Sequence, residues 1–254
     1  MALFLDGPAC TIDDLTDQDS GLLDVSATCG INVSTKIRLA HEEIGTDLQL
    51  WLDRPRPAID MVWAPALRIG QVVTTPPLKA WEAMLALSFV YRDAYFSQLV
   101  DRYQAKWEEY SQLSRRAYER FVASGMGLVN SPVPRALPPA LSSVPGPQKG
   151  GTFYASVTWV NERGQEGAAS AASAISVPDG HLMTVKVATL PTAAVGFHVY
   201  AGETLDSLVR QSSVPLSAGL SFTYVPGFIT TGPLSGNGQK PDFVRPLVRT
   251  LLRG

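Results

Sequence analysis

The sequence predicts two folded parts in series, an α-helical bundle and then a small all-β sandwich, followed by an extended C-terminal arm. Three observations lead there. Up to about Gly125 the apolar residues recur at helical spacing. Beyond Thr152 they alternate in short runs broken by glycine. Between the two lies Ser131-Pro-Val-Pro-Arg-Ala-Leu-Pro-Pro-Ala-Leu-Ser-Ser-Val-Pro-Gly-Pro-Gln-Lys-Gly-Gly151, whose prolines and glycines read as a linker. The expected bounds are 1–130 for the helical domain, 131–151 for the linker, 152–226 for the β module and 227–254 for the arm.

Thr11-Ile-Asp-Asp14 opens the first helix. Thr11 supplies a cap, and Asp13 and Asp14 stand where the helix dipole favours anions. This helix is expected to run through Val25, and Gly30 breaks the chain after it. Ser34 opens the second, with Ile37, Ala40, Ile44, Leu48 and Trp51 on one stripe. The prolines of Asp53-Arg-Pro-Arg-Pro57 end it, because proline removes a donor and restricts its predecessor. Residues 58–75 read as an extended loop with strand-like pieces such as Gln71-Val-Val-Thr74.

Thr75-Pro-Pro77 begins the strongest helical signal, Thr75 as cap and proline in the first turn. Leu78, Trp81, Leu85 and Phe89 form one stripe; Phe96, Leu99, Tyr103, Trp107, Tyr110, Leu113, Ala117 and Phe121 form another. One long helix, or two meeting near Tyr91–Ser97, fits equally well. Gly125 and Gly127 stop it.

In the β module Phe153, Ala155, Val157 and Trp159 alternate with Tyr154, Ser156, Thr158 and Val160. Asn161-Glu-Arg-Gly-Gln-Glu-Gly167 is a hairpin-type turn. Further strands are expected over 171–177, 182–187, 196–201, 208–213 and 220–225. The stretch 226–246 is turn-rich and reads as exposed, and 243–252 as a short terminal helix or a strap.

The chain has 254 residues, 45% hydrophobic and 17% charged, enough to bury a core without disulfide or metal. No apolar run approaches the roughly 20 residues of a spanning helix, so no membrane partner is expected. The opening Met1-Ala-Leu-Phe-Leu-Asp6 has no basic leader and does not read as a secretory signal. Cys10 and Cys29 lack a metal-ligand rhythm, and either free thiols or a bridge between them fits the sequence. Charge is segregated: eleven acidic residues face four basic ones up to Asp60, whereas Lys240, Arg245, Arg249 and Arg253 face only Asp242 near the end. An acidic start and a basic end suit head-to-tail contacts between copies.

No signature of catalysis, metal or cofactor appears. His41-Glu-Glu lacks the second histidine of a zinc helix, and His181 and His198 read as structural. Asp17-Gln-Asp-Ser-Gly21 begins like a calcium loop but lacks its closing glutamate. Gly125-Met-Gly127 lacks the third glycine of a dinucleotide fingerprint and follows a helix, where a strand is required. No Gly-x-Ser-x-Gly elbow exists. The expectation is a non-enzymatic protein with no cofactor, metal or catalytic residue.

Two stretches together resemble the head–tail connector, or adaptor, proteins of tailed bacteriophages: Ser20 through Ile44 with its continuation to Trp51-Leu52, and Thr74-Thr-Pro-Pro-Leu-Lys-Ala-Trp81 through Asp101-Arg-Tyr-Gln-Ala-Lys-Trp107 to Gly127. The resemblance covers about half the chain. It implies a helical bundle assembled into a ring, usually dodecameric, that joins the portal to tail or head-closure proteins in the virion. DNA would pass through the ring without sequence-specific binding. The remainder, Thr152–Gly167 and Gly196-Phe-His-Val-Tyr-Ala-Gly202, resembles the fibronectin type III and immunoglobulin-like modules appended to virion proteins. The arm is the expected partner-binding segment, through Lys240, Phe243, Arg245, Arg249 and Arg253. The rival reading is a carbohydrate- or cell-surface-binding module of a tail or envelope protein.

Overall fold

The computed structural model describes residues 2–53, 66–98, 101–236 and 238–247. Helices come first and antiparallel sheet follows, in two compact units. One unit comprises Gly7–Val129 with Pro241–Gly254; the other comprises Asn130–Lys240 with Met1–Asp6.

In the helical unit, α1 spans Ile12–Thr16, α2 Leu22–Cys29, α3 Val33–Asp53, α4 Pro76–Gln98 and α5 Asp101–Ser124. Thr11 and Asp14 form a reciprocal cap on α1: the Asp14 N–H donates to Thr11 Oγ1 at 3.2 Å, and the Thr11 N–H donates to the Asp14 carboxylate at 2.8 Å. The expected single helix to Val25 is instead two, separated by a turn over residues 17–21 in which the Asp19 N–H still donates to Leu15 O at 2.9 Å. Gly30, left-handed at φ 67°, closes α2.

The α3 stripe is as expected: Ile37, Ala40, Ile44, Leu48 and Trp51 are buried. Thr75, expected as a cap, does not act through its hydroxyl, which is buried without a hydrogen-bond partner. Pro77, at the second helical position, removes one of the two N–H groups that a capping oxygen can receive, and the other, on Leu78, is not used. The junction of the long helices falls after Gln98, later than Tyr91–Ser97. Helices α4 and α5 run antiparallel, as the stacked pairs Trp81–Phe121, Tyr91–Tyr110 and Tyr95–Trp107 require. Buried residues ring α4 on several sides, Ala83, Ala86, Leu87 and Val90 among them, so the expected narrow stripe understates its central place. Phe96 departs from its stripe and is 62% exposed; Leu99 lies outside the described residues.

After α5, β1 (Met126–Leu128) is buried and flanked on one side by Val72 through an isolated bridge. The β unit holds β2 (Ala140–Pro145), β3 (Gly151–Val160), β4 (Ser173–Val177), β5 (His181–Lys186), β6 (Gly196–Gly202), β7 (Val209–Arg210) and β8 (Ser221–Tyr224). These form two antiparallel sheets, ordered β4-β3-β6-β7 and β2-β5-β8. One core joins them, with Phe153, Val157, Trp159, Phe197 and Val199 from the first and Met183, Val185 and Tyr224 from the second.

The proline-rich stretch 131–151 is not a plain linker. Val133 and Ala136 are buried in the β core, and Ala140–Pro145 pairs residue for residue with β5. As an edge strand, β2 tolerates the prolines beside it, where a central strand would lose ladder bonds. The expected free arm is also corrected. Residues up to Lys240 belong to the β unit, and β9 (Phe243–Arg245) pairs with β1 in the helical unit.

Candidate functional site

The partner-binding residues expected in the arm begin at Lys240, the exposed last residue of the β unit. Phe243 and Arg245 lie in β9, and Arg249 and Arg253 fall outside the described residues. Strand β9 sits in register with β1, Phe243 opposite Leu128 and Arg245 opposite Met126, and the Asp242 N–H donates to Leu128 O at 2.9 Å. Phe243 and Arg245, two apart, share one face of the strand. Phe243 is 37% and Val244 52% exposed, so the strand carries apolar side chains at the surface.

Glycines let β9 approach so closely. Gly125 ends α5 at φ 79°, and a Cβ there would stand 2.6 Å from Val244 Cγ1 and 2.8 Å from Arg245 O. At Gly127 a Cβ would stand 2.9 Å from both Pro241 Cγ and Thr75 Cγ2. The Gly-Met-Gly stretch, no dinucleotide fingerprint, is the floor on which the returning chain lies.

Two buried carboxylates organise the helical unit. Glu82 on α4 is wholly buried and accepts the N–H groups of Ala9 at 2.6 Å and Cys10 at 3.2 Å, and its other oxygen lies 2.8 Å from His41 Nδ1. The Cys10 thiol contacts the same carboxylate at 3.5 Å. Burial first, and the neighbouring Glu82 charge second, push that thiol far above its ordinary value, the reverse of a nucleophile's need. Asp19 accepts the hydroxyls of Tyr91 at 2.7 Å and Tyr110 at 2.9 Å, the Lys106 ammonium at 3.1 Å and the Gly21 N–H at 3.0 Å. Burial alone would raise the Asp19 carboxyl; those bonds outweigh it and hold the carboxyl below the usual range. The fragment that begins like a calcium loop thus spends its central carboxylate on the aromatic core.

A third polar layer lies in the β unit. Glu166 accepts from Thr158 Oγ1 at 2.8 Å and Tyr200 Oη at 2.6 Å, with Arg210 at 3.4 Å and His198 Nε2 at 4.0 Å. His198 Nδ1 lies 2.9 Å from Ser212 Oγ, which accepts the Val199 N–H at 3.1 Å. Burial drives the His198 pKa down, Arg210 adds to that, and Glu166 opposes it in part. Serine, histidine and glutamate stand in the order of a hydrolytic triad, yet Ser212 is 5% exposed, which leaves no room for a substrate carbonyl at its oxygen.

Sequence reasoning missed this layer because Thr158 on β3 and His198 and Tyr200 on β6 meet Glu166 only through strand pairing, which leaves no local pattern. Glu82 was missed because a lone glutamate in a helix ordinarily faces water. Its one signal was its place between Trp81 and Ala83, within the apolar run of α4.

Among the described residues no group of three or more His, Cys, Asp or Glu side chains is placed to hold a metal ion, and no helix is long and apolar enough to cross a membrane. No protein-family model matches the chain, and no curated protein or solved structure matches it significantly.

Proposed function

We propose that this chain is a structural virion protein, a head-to-tail adaptor whose helical unit assembles into a ring between the portal and the tail or head-closure proteins. Strand β9 carries the reading. It lies on the end of the long helical hairpin, fixed by glycine contacts at its back, with Phe243 and Val244 exposed beside Arg245. A short strand that presents apolar side chains from a rigid base suits partner docking better than catalysis. Lys240, Arg249 and Arg253 extend the same basic segment in the sequence. Exposed Asp13 and Asp24 of α1 and α2 suit a channel wall that repels DNA and lets it slide.

The β unit, on this reading, is an immunoglobulin- or fibronectin III-like module that decorates the ring. Its sheet order supports the assignment: β4-β3-β6-β7 follows the C′-C-F-G order of such sandwiches, and β2-β5 follows B-E. Trp159, 3% exposed on β3, stands where the buried tryptophan of strand C belongs. Strand β8 departs from the pattern. It takes the D position beside β5, although it comes last among the strands of the β unit.

The test is electron microscopy and native mass measurement of the full chain, alone at high concentration and with a purified portal ring. Closed rings that stack on the portal are the expected result. Particles that remain single chains in both conditions overturn the proposal, and glycan binding by such a monomer points to the rival reading. Replacing Phe243 with Asp should release portal attachment while leaving both units folded.

A further inference from the structure

We infer that the helical unit carries both halves of a contact between copies: the α3 stripe of exposed Glu43 and Leu50 with half-buried Asp47 between them on one copy seats in the groove formed by α1, α4 and α5 on the next. The inference rests on the ring-forming reading above and names the surface that builds the ring.

The groove has a volume of about 470 Å³. Its floor is largely apolar and small, with Ala80, Ala83 and Leu113 contributing. One rim is basic: Arg116 and Arg120, a turn apart on α5, are both exposed, and neither has an ion-pair partner among the described residues. The opposite rim carries Asp14 of α1 and Asp17 just after it, and Asp14 is already held by Lys79 at 2.7 Å.

The α3 stripe has the complementary pattern. Glu43, Asp47 and Leu50 follow at spacings of four and three, which places them on one helical face. Leu50 is 58% exposed, and neither carboxylate has an ion-pair partner among the described residues. Burial raises the Asp47 carboxyl above its ordinary value, so an incoming guanidinium relieves a cost already present in the single chain. Two carboxylates a turn apart thus match two guanidinium groups a turn apart, and a leucine matches a floor of small side chains.

A second copy is the occupant because both halves lie on the same chain, and no α3 residue lines the groove of its own copy. The two surfaces are different patches, so the contact is heterologous; repeated, it closes into a ring or runs on as a filament. Like charges brought together at such a surface discriminate strongly against wrong pairings.

The test compares three variants of the full chain with the parent by native mass and light scattering, with circular dichroism to verify folding. Glu43→Arg with Asp47→Arg, and separately Arg116→Glu with Arg120→Glu, should each weaken self-association about a hundredfold. The fourfold exchange should restore it. In a Cys29→Ser background, Leu50→Cys combined with Ala80→Cys should give chain-to-chain disulfide ladders on oxidation. Rings that survive either reversal, or that give no ladder, overturn this interface and leave the ring reading standing. A parent chain that stays monomeric at high concentration overturns both.

Discussion

Glu82 and His41 meet 2.8 Å apart inside the helical unit, between α4 and α3. The same carboxylate receives the backbone of Ala9 and Cys10, so one side chain fixes the chain's entry to two helices. Glu82→Ala leaves two N–H groups and an imidazole facing an apolar space, at a cost of about 3 kcal/mol. Glu82→Gln keeps an acceptor and should lose clearly less. Urea midpoints of the two variants decide it; equal and negligible losses would contradict the network.

Asp19 gives the helical unit a defined acid limb. Its carboxyl is held below its unfolded value, burial being outweighed by bonds from Tyr91, Tyr110, Lys106 and Gly21. A carboxyl depressed in the folded state contributes stability that is complete above the ordinary carboxylate range, about pH 4 to 5, and is lost as pH falls through the folded value. Asp19→Asn should therefore lower stability at neutral pH by about 2 kcal/mol and flatten the dependence below pH 4. Thermal unfolding from pH 7 to 3 measures both effects.

His198 gives the β unit an acid limb of its own, at higher pH than that of Asp19. Burial, aided by Arg210 and opposed in part by Glu166, places its folded pKa below the unfolded value of about 6.5. The unfolded chain then binds the proton first as pH falls. Stability is whole above about pH 7 and declines through 6.5 toward the folded value. His198→Gln should remove that decline while keeping a partner for Ser212. A β unit whose stability is flat between pH 7.5 and 5.5 in the parent chain would refute the assignment.

The order of helix then sheet was legible because periodicity changes near Gly125, and the α3 stripe from Ile37 to Trp51 was legible because it is one-sided. The central helix α4 was less so, since a helix buried on several sides has no single stripe to read. Strand β2 was hidden by its prolines, which mark a linker and an edge strand alike. In the candidate site, Phe243 and Arg245 stood out by charge and apolar contrast. Their pairing with β1 did not, because three backbone partners separated by more than a hundred residues leave no local pattern.

That pairing is open to direct attack through its glycines. Gly125→Ala places a methyl 2.8 Å from Arg245 O and forces a side chain into a left-handed conformation at φ 79°. The strain alone costs roughly 1–2 kcal/mol. Gly127→Ala has no such backbone penalty, yet its methyl meets Pro241 and Thr75 at 2.9 Å. Both variants should lift β9 from β1 while α4 and α5 stay packed through Trp81–Phe121 and Tyr91–Tyr110. Hydrogen exchange at Asp242, whose N–H is bound to Leu128 O, reports the release directly. Faster exchange at Asp242 with unchanged protection in the helices is expected from Gly127→Ala, because no left-handed backbone strain accompanies the crowding there. Unaltered exchange at Asp242 in that variant would mean that β9 does not rest on the Gly-Met-Gly floor, and the docking strand would lose its base.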